Sequence, residues 1–197
     1  MDAEGKVGPV KKCAIHWAEE AGAARYDVER LAGQNPHPRA ASSDRPLPLV
    51  LMFMADPESI YHWRRLDDRI TTSGQPTEPQ LADIRALGVR HIINLGLHSH
   101  EKALPDEAAS VGRLGMTYIH IPVDFQNPTD ADFAQFCSVL AGLQDVPVHV
   151  HCIANYRVSA FFYRYRRTIL GMDETRARAD LEQVWQPEGV WAAFIGP

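Results

Sequence analysis

Cys152 and Arg157 are separated by four residues, Ile153, Ala154, Asn155 and Tyr156. The apolar run Val146-Pro147-Val148-His149-Val150 leads into His151 and the cysteine. Beyond the arginine, Val158, Phe161, Phe162, Tyr165 and Ile169 recur at helical spacing and form one apolar face. The pattern reads as strand, cysteine, short loop, arginine, helix. The first backbone N–H groups of a helix have no intrahelical acceptor, and the helix dipole favours negative charge beside them. A thiol in that field loses its proton readily, and the same N–H groups can cradle an oxyanion. A guanidinium adds a planar fork of donors. One loop thus offers a nucleophile and an anion site together, which displacement at a phosphoryl centre requires.

The elements that must hold this loop follow from the rest of the patterning. Ile70 to Ser73 reads as a strand, Gly74-Gln75-Pro76 as a turn, and Thr77 onward as a helix carrying Leu81, Ile84 and Leu87 until Gly88. Val89 to Leu95 and Thr117 to Val123 are further strands, with helices over Asp106 to Leu114 and Thr129 to Leu143. Helices over Asp173 to Trp185 and about Glu188 to Ile195 close the chain, with Trp185 and Trp191 as docking or core residues. Alternating strands and helices predict an α/β fold with a largely parallel central sheet of about four to five strands flanked by helices. Ligands of such sheets sit at the carboxyl ends of strands, where Cys152 falls.

Residues 1–53 differ in character: alanine, glycine, proline and charge dominate, and Pro36, Pro38, Pro46 and Pro48 mark a loop-like run. They are expected to be a poorly ordered N-terminal extension to a catalytic domain over 54–197. The 197 residues, 45 % hydrophobic, suit one globular domain with an adequate core. A net charge of −5 argues against a nucleic-acid partner, and no apolar run approaches the roughly 20 residues of a membrane span. Cys13, Cys137 and Cys152 make neither a disulfide framework nor a zinc spacing. An unpaired Cys152 suits the reducing cytoplasm, while Cys137 reads as a small apolar residue on a helix. His149 with His151, or His98 with His100, lack a third ligand at a persuasive spacing, so neither metal nor cofactor is expected. Nothing in the pattern specifies an oligomer.

The His151-Cys152-loop-Arg157 motif after a buried strand resembles the protein tyrosine and dual-specificity phosphatase superfamily. Upstream, Thr72-Ser73-Gly74-Gln75-Pro76, Gly88-Val89 and Ile92-Ile93-Asn94-Leu95 resemble its small bacterial members. The resemblance covers about residues 60–197. It departs from the family pattern in having four residues, not five, between cysteine and arginine. Asn155 stands where the family carries a loop glycine and Val158 where it carries the arginine, while Ser159 keeps the family's Ser/Thr offset. The helical pattern puts Val158 in the core and Arg157 one step around, where it can face an anion. Asparagine tolerates positive φ better than other non-glycine residues, so Asn155 can take the glycine's place.

The resemblance implies hydrolysis of phosphate monoesters, on phosphorylated proteins or small phosphoesters, without a metal. Cys152 would attack phosphorus and form a cysteinyl-phosphate. Arg157 would hold two phosphoryl oxygens, and the backbone N–H groups of Ile153, Ala154, Asn155, Tyr156, Arg157 and Val158 the others. Ser159 would donate to the thiolate, and His151 would hold the loop. A leaving oxygen needs a proton. Asp124, in the loop Pro122 to Pro128 after a strand end, sits where the family's acid loop would be and is favoured for that role. Asp130 and Asp132 compete but have a structural reason to follow Thr129, an N-cap whose helix stabilises acids in its first turn. Gln75 serves either the pocket or its own turn. Arg164, Arg166 and Arg167 read as a solvated helix face. The competing readings are a phosphate-binding module without turnover and a rhodanese-like sulfurtransferase. The Ser159 offset and the Asp124 loop favour the phosphatase, because persulfide transfer needs no such acid.

Overall fold

A computed structural model of the chain describes residues 55–196, so the expected extension over residues 1–53 lies outside the described residues. Five strands form one sheet: β1 (Arg64–Arg65), β2 (Ile70–Ser73), β3 (His91–Asn94), β4 (Thr117–His120) and β5 (Val148–His151). Their order is β1-β2-β5-β3-β4, with β1 antiparallel to β2 and every other pairing parallel. Six helices accompany them among the described residues: α1 (Glu78–Ala86), α2 (Glu107–Arg113), α3 (Asp130–Gly142), α4 (Tyr156–Thr168), α5 (Glu174–Glu182) and α6 (Val190–Ile195). The expected class holds. The expected strands over Val89 to Leu95 and Thr117 to Val123 are shorter as ladders, although Leu95 and Val123 beyond their ends stay buried.

Alternation along the strands splits the core into two layers. Ile92 joins Trp63, Leu81, Ile84, Val111 and Met116 on one side, under α1 and α2. The next residue, Ile93, joins Val148, Val150, Phe136, Phe161, Phe162 and Trp191 on the other, under α3, α4 and the closing helices. Leu81 and Ile84 are fully buried, each contributing about 2 kcal/mol of apolar burial. Strand β1 carries no apolar signal, being two arginines. It is set by an Asx turn in which Asp67 Oδ1 accepts from Arg69 N (2.8 Å) and Ile70 N (2.7 Å).

The arginines of α4 correct the reading of a solvated face. Arg166 is buried and paired with Asp180 of α5. Arg164 pairs with Asp130 at 2.6 Å and lies over the rings of Phe133 and Phe194, and Arg167 Nη1 donates to the Met172 carbonyl (2.8 Å). Helices α5 and α6 and the start of α3 cover that side of α4, a tertiary event that helical periodicity does not report. Cys137 is partly buried, and burial pushes its thiol up to about 12.

Candidate active site

β5 is the central strand, flanked on both sides by parallel neighbours, and the chain leaves it at Cys152, which is fully buried. The register brings Ser73 and Asn94 opposite His151, so three strands end together at this point. Past Cys152 the chain folds back on the β2 turn. Gln75 N donates to Ile153 O (3.1 Å), and Gly74 bridges Ala154. A side chain at Gly74 would meet the Ile153 carbonyl at 2.8 Å; the close approach demands glycine. His62 Nδ1 donates to Ala154 O (3.0 Å) from the other side.

Asn155 takes the left-handed conformation, φ +64°, and caps α4. Its side-chain amide donates to His62 O (2.7 Å) and Thr72 Oγ1 (3.1 Å), so asparagine supplies both the glycine-like turn and two tethers that glycine lacks. The helix ladder begins with Ser159 N to Asn155 O (2.9 Å), which leaves the N–H groups of the first turn to other acceptors.

Arg157, from that same turn, is 6 % exposed. Its Nε donates to Val123 O (2.9 Å), and its guanidinium lies 5.1 Å from the Phe125 ring centroid. Among the described residues, neither terminal nitrogen has a hydrogen-bond partner. The arginine therefore grips both chain neighbours of Asp124. Trp191 Nε1 fixes the same loop through Phe125 O (2.8 Å). Asp124 is exposed, and its Oδ1 accepts from Gln126 N (2.9 Å). The competing acids are engaged elsewhere. Asp132 completes a capping box with Thr129, accepting from its N (2.9 Å) and Oγ1 (2.7 Å), and Asp130 pairs with Arg164.

The Ser159 hydroxyl is engaged on both its donor and acceptor sides. Its hydroxyl donates to Tyr156 O (3.0 Å) and accepts from Trp185 Nε1 (3.1 Å). With Val158 fully buried, the side chains at these two positions pack α4, and the backbone alone is left to the loop. Gln75 lines an open cleft of about 480 Å³ together with Tyr61, Lys102, Leu104, Ile153 and Ala154.

Beneath the loop lies a polar layer. His149 is fully buried and stacked on Trp63. Ser73 Oγ gives its proton to Gly74 O (2.6 Å), so His149 Nε2 donates to that hydroxyl (3.0 Å) and Nδ1 accepts from Thr71 Oγ1 (2.9 Å). This is a neutral ring, in keeping with burial and then the His151 charge holding it well below the ordinary histidine value. Glu107, from the first turn of α2, is 2 % exposed. Gln75 Nε2 (2.9 Å), Asn94 Nδ2 (2.9 Å) and Tyr118 OH (3.2 Å) donate to it, and His151 Nε2 lies 3.1 Å away. Burial pushes its carboxyl up, but the His151 charge and the donors more than offset this, and it stays below the usual carboxylate value. Sequence reasoning passed over Glu107, since an acid in a helix's first turn already has a dipole reason to be there.

Residues 57–190 match the family model for a DSP-PTPase phosphatase fused to NAD+ kinase. The chain belongs to this phosphatase family. A DUF442 candidate phosphatase from Shewanella putrefaciens CN-32 superposes with a TM-score of 0.63 at 32 % identity, over 70 % of this chain and 91 % of that one. The Beta-lactamase hydrolase-like protein of Agrobacterium fabrum is 29 % identical over 130 residues, covering 64 % of this chain and 28 % of that protein. The match thus spans under a third of the relative's length. TpbA of P. aeruginosa, in complex with phosphotyrosine, has a TM-score of 0.54 at 19 % identity over 73 % of this chain and 79 % of that one. PTPMT1, in complex with PI(5)P, has one of 0.58 at 15 % identity over 68 % and 91 %. These last two speak for the fold alone. Among the described residues no helix is long and apolar enough to cross a membrane.

Proposed function

We propose that the chain hydrolyses phosphate monoesters through a cysteinyl-phosphate intermediate, and that residues 54–197 carry this activity. The observation that supports it most is the placement of Arg157 in the first turn of the helix after the Cys152 loop, with no hydrogen-bond partner for its two terminal nitrogens among the described residues. In the first step the Cys152 thiolate attacks phosphorus. The S–P bond forms, the P–O bond to the leaving group breaks, and Asp124 gives that oxygen its proton. In the second step the Asp124 carboxylate takes a proton from water as the water oxygen attacks phosphorus. The S–P bond breaks and inorganic phosphate leaves. Arg157 and the first-turn N–H groups of α4 hold the phosphoryl oxygens in both steps. The anion needs no further cation on this route. The cleft beside Ile153 and Ala154, with Tyr61 and Leu104 on its wall, suits a phosphoester carried on an apolar or aromatic group, on a protein side chain or a small molecule.

The test is hydrolysis of an aryl phosphate by the wild type and by Cys152→Ser. Activity that vanishes with the sulfur supports the proposal. Phosphate or vanadate binding by a wild type that turns nothing over would instead assign a binding module. Transfer of sulfane sulfur to cyanide would assign a sulfurtransferase.

A further inference from the structure

Lys102 is the one lysine between residues 55 and 196. Of the twelve arginines in that stretch, all but Arg176 donate from the side chain to a protein oxygen. The Lys102 ammonium has no such acceptor among the described residues. Its backbone is nonetheless fixed: Lys102 N donates to His100 Nδ1 (3.1 Å), His100 N to Leu97 O (3.2 Å) and Ala103 N to His100 O (2.9 Å). His98 ties the same loop to β4, through Tyr118 OH at 2.8 Å and by stacking on His120 at 3.8 Å between centroids. The loop leaves the carboxyl end of β3, which pairs with β5. It therefore shares with the cysteine loop the end of a parallel sheet where ligands collect. Lys102 and the cysteine-loop residues Ile153 and Ala154 line one cleft of about 480 Å³, whose other walls include Tyr61, Gln75 and Leu104. No other charged residue lines it, and Arg157 does not.

We propose that Lys102 is a specificity-determining residue: it selects phosphate monoesters whose leaving group carries a second anion, a carboxylate or a further phosphoryl. The inference rests on the phosphatase reading, which gives the first phosphoryl group to Arg157 and the first turn of α4. What is left for Lys102 is the part of the substrate that lies in the cleft beyond that pocket. An ammonium there, with no carboxylate of the protein beside it, discriminates by charge complementarity. The walls of Tyr61 and Leu104 take the apolar body of the leaving group, and Lys102 reads what that body bears. A lysine suits this task, since its three donors on a flexible stem meet a carboxylate or a phosphoryl equally well. The contact is with a group that does not react, so it is the same in the ground state and the transition state and acts on KM.

The experiment compares kcat/KM of the full chain for phenyl phosphate with that for phenyl phosphates bearing a carboxylate or a methylphosphonate at the meta or para position. Leaving-group electronics are common to wild type and variants, so the change in this preference isolates the side chain. Lys102 is exposed, and replacing it leaves the fold intact. Lys102→Gln should lower the preference for the best doubly anionic ester by about threefold to tenfold, the scale of one partly exposed charge-assisted contact, mainly through KM. Lys102→Arg should keep the preference, Lys102→Glu should invert it, and high salt should shrink it. Arg176→Gln removes an exposed cation that does not line the cleft and should leave the preference as in the wild type. The better of carboxylate and phosphonate names the second anion. An unchanged preference in Lys102→Gln, or an equal loss in Arg176→Gln, would overturn the proposal. A wild type that hydrolyses none of these esters would overturn the proposed function instead. Calorimetric binding of the same esters then decides Lys102 separately: an affinity gain from the second anion that Lys102→Gln loses supports it, and equal affinities overturn it.

Discussion

Replacing Arg157 by lysine separates fork from charge. The guanidinium makes three separable contributions in this structure: the Nε hydrogen bond to Val123 O at 2.9 Å, the stacking over Phe125 at 5.1 Å, and two terminal nitrogens left for an anion. A charge-assisted hydrogen bond contributes about 1.5–3 kcal/mol. Two of them to phosphoryl oxygens therefore stabilise the transition state by about 3–6 kcal/mol. Lysine keeps the charge and one such bond, so the expected loss is about 1.5–3 kcal/mol, or roughly 10- to 150-fold in kcat/KM. Losing the bond to Val123 O costs about 1 kcal/mol of stability, a shift of a few degrees in Tm, so the variant stays folded. Initial rates on an aryl phosphate, with a melting curve on the same sample, give both numbers. A folded Arg157→Lys within threefold of the wild type would refute the assignment of the fork to the phosphoryl group.

Three further outcomes follow from particular contacts. Asp124→Asn should flatten the basic limb of the pH–rate profile and slow substrates with poor leaving groups most; an unaltered profile would pass the proton to another group. Asn155→Ala and Asn155→Gly both lose the tethers to His62 O and Thr72 Oγ1, but only alanine is strained at φ +64°, so Asn155→Ala should be the less stable by about 1–2 kcal/mol. Equal urea midpoints would show that the loop relaxes out of the left-handed region. His149 supplies a pH dependence, since burial and then the His151 charge hold it well below the ordinary value of 6.5. Below that pH the unfolded chain binds a proton that the folded chain refuses, so stability is complete above about 6.5 and falls beneath it by about 1.4 kcal/mol per pH unit for this one group. His91 and His120, lowered chiefly by burial, steepen the fall. Urea midpoints at pH 7.5 and 5.5 should differ less in His149→Gln than in the wild type, and equal differences would contradict the buried neutral ring.

The cysteine loop was legible because its signals are local. An apolar run, a residue tolerant of positive φ and a helical stripe lie within about 25 residues of one another, and each has its own physical cause. The parallel sheet was legible from alternation of strand and helix. What escaped notice depends on distant contacts. Strand β1 is two charged residues held by an Asx turn and by pairing to β2, and no hydrophobic period marks it. Arg166 looked like surface because the helix that buries it begins eight residues later. Glu107 looked like an ordinary first-turn acid because its four partners come from four strands and turns, none adjacent in the chain. Ser159 keeps the family offset in sequence, yet its hydroxyl donates to Tyr156 O and accepts from Trp185, 26 residues on.

The proposed route passes through a covalent S–P bond on Cys152. Acid-quenching the wild type during turnover of an aryl phosphate and mapping the modified peptide by mass spectrometry tests it directly. One phosphoryl group is expected on Cys152, and none in Cys152→Ser. Steady turnover with Cys152 unmodified, or hydrolysis that persists in Cys152→Ser, would contradict it.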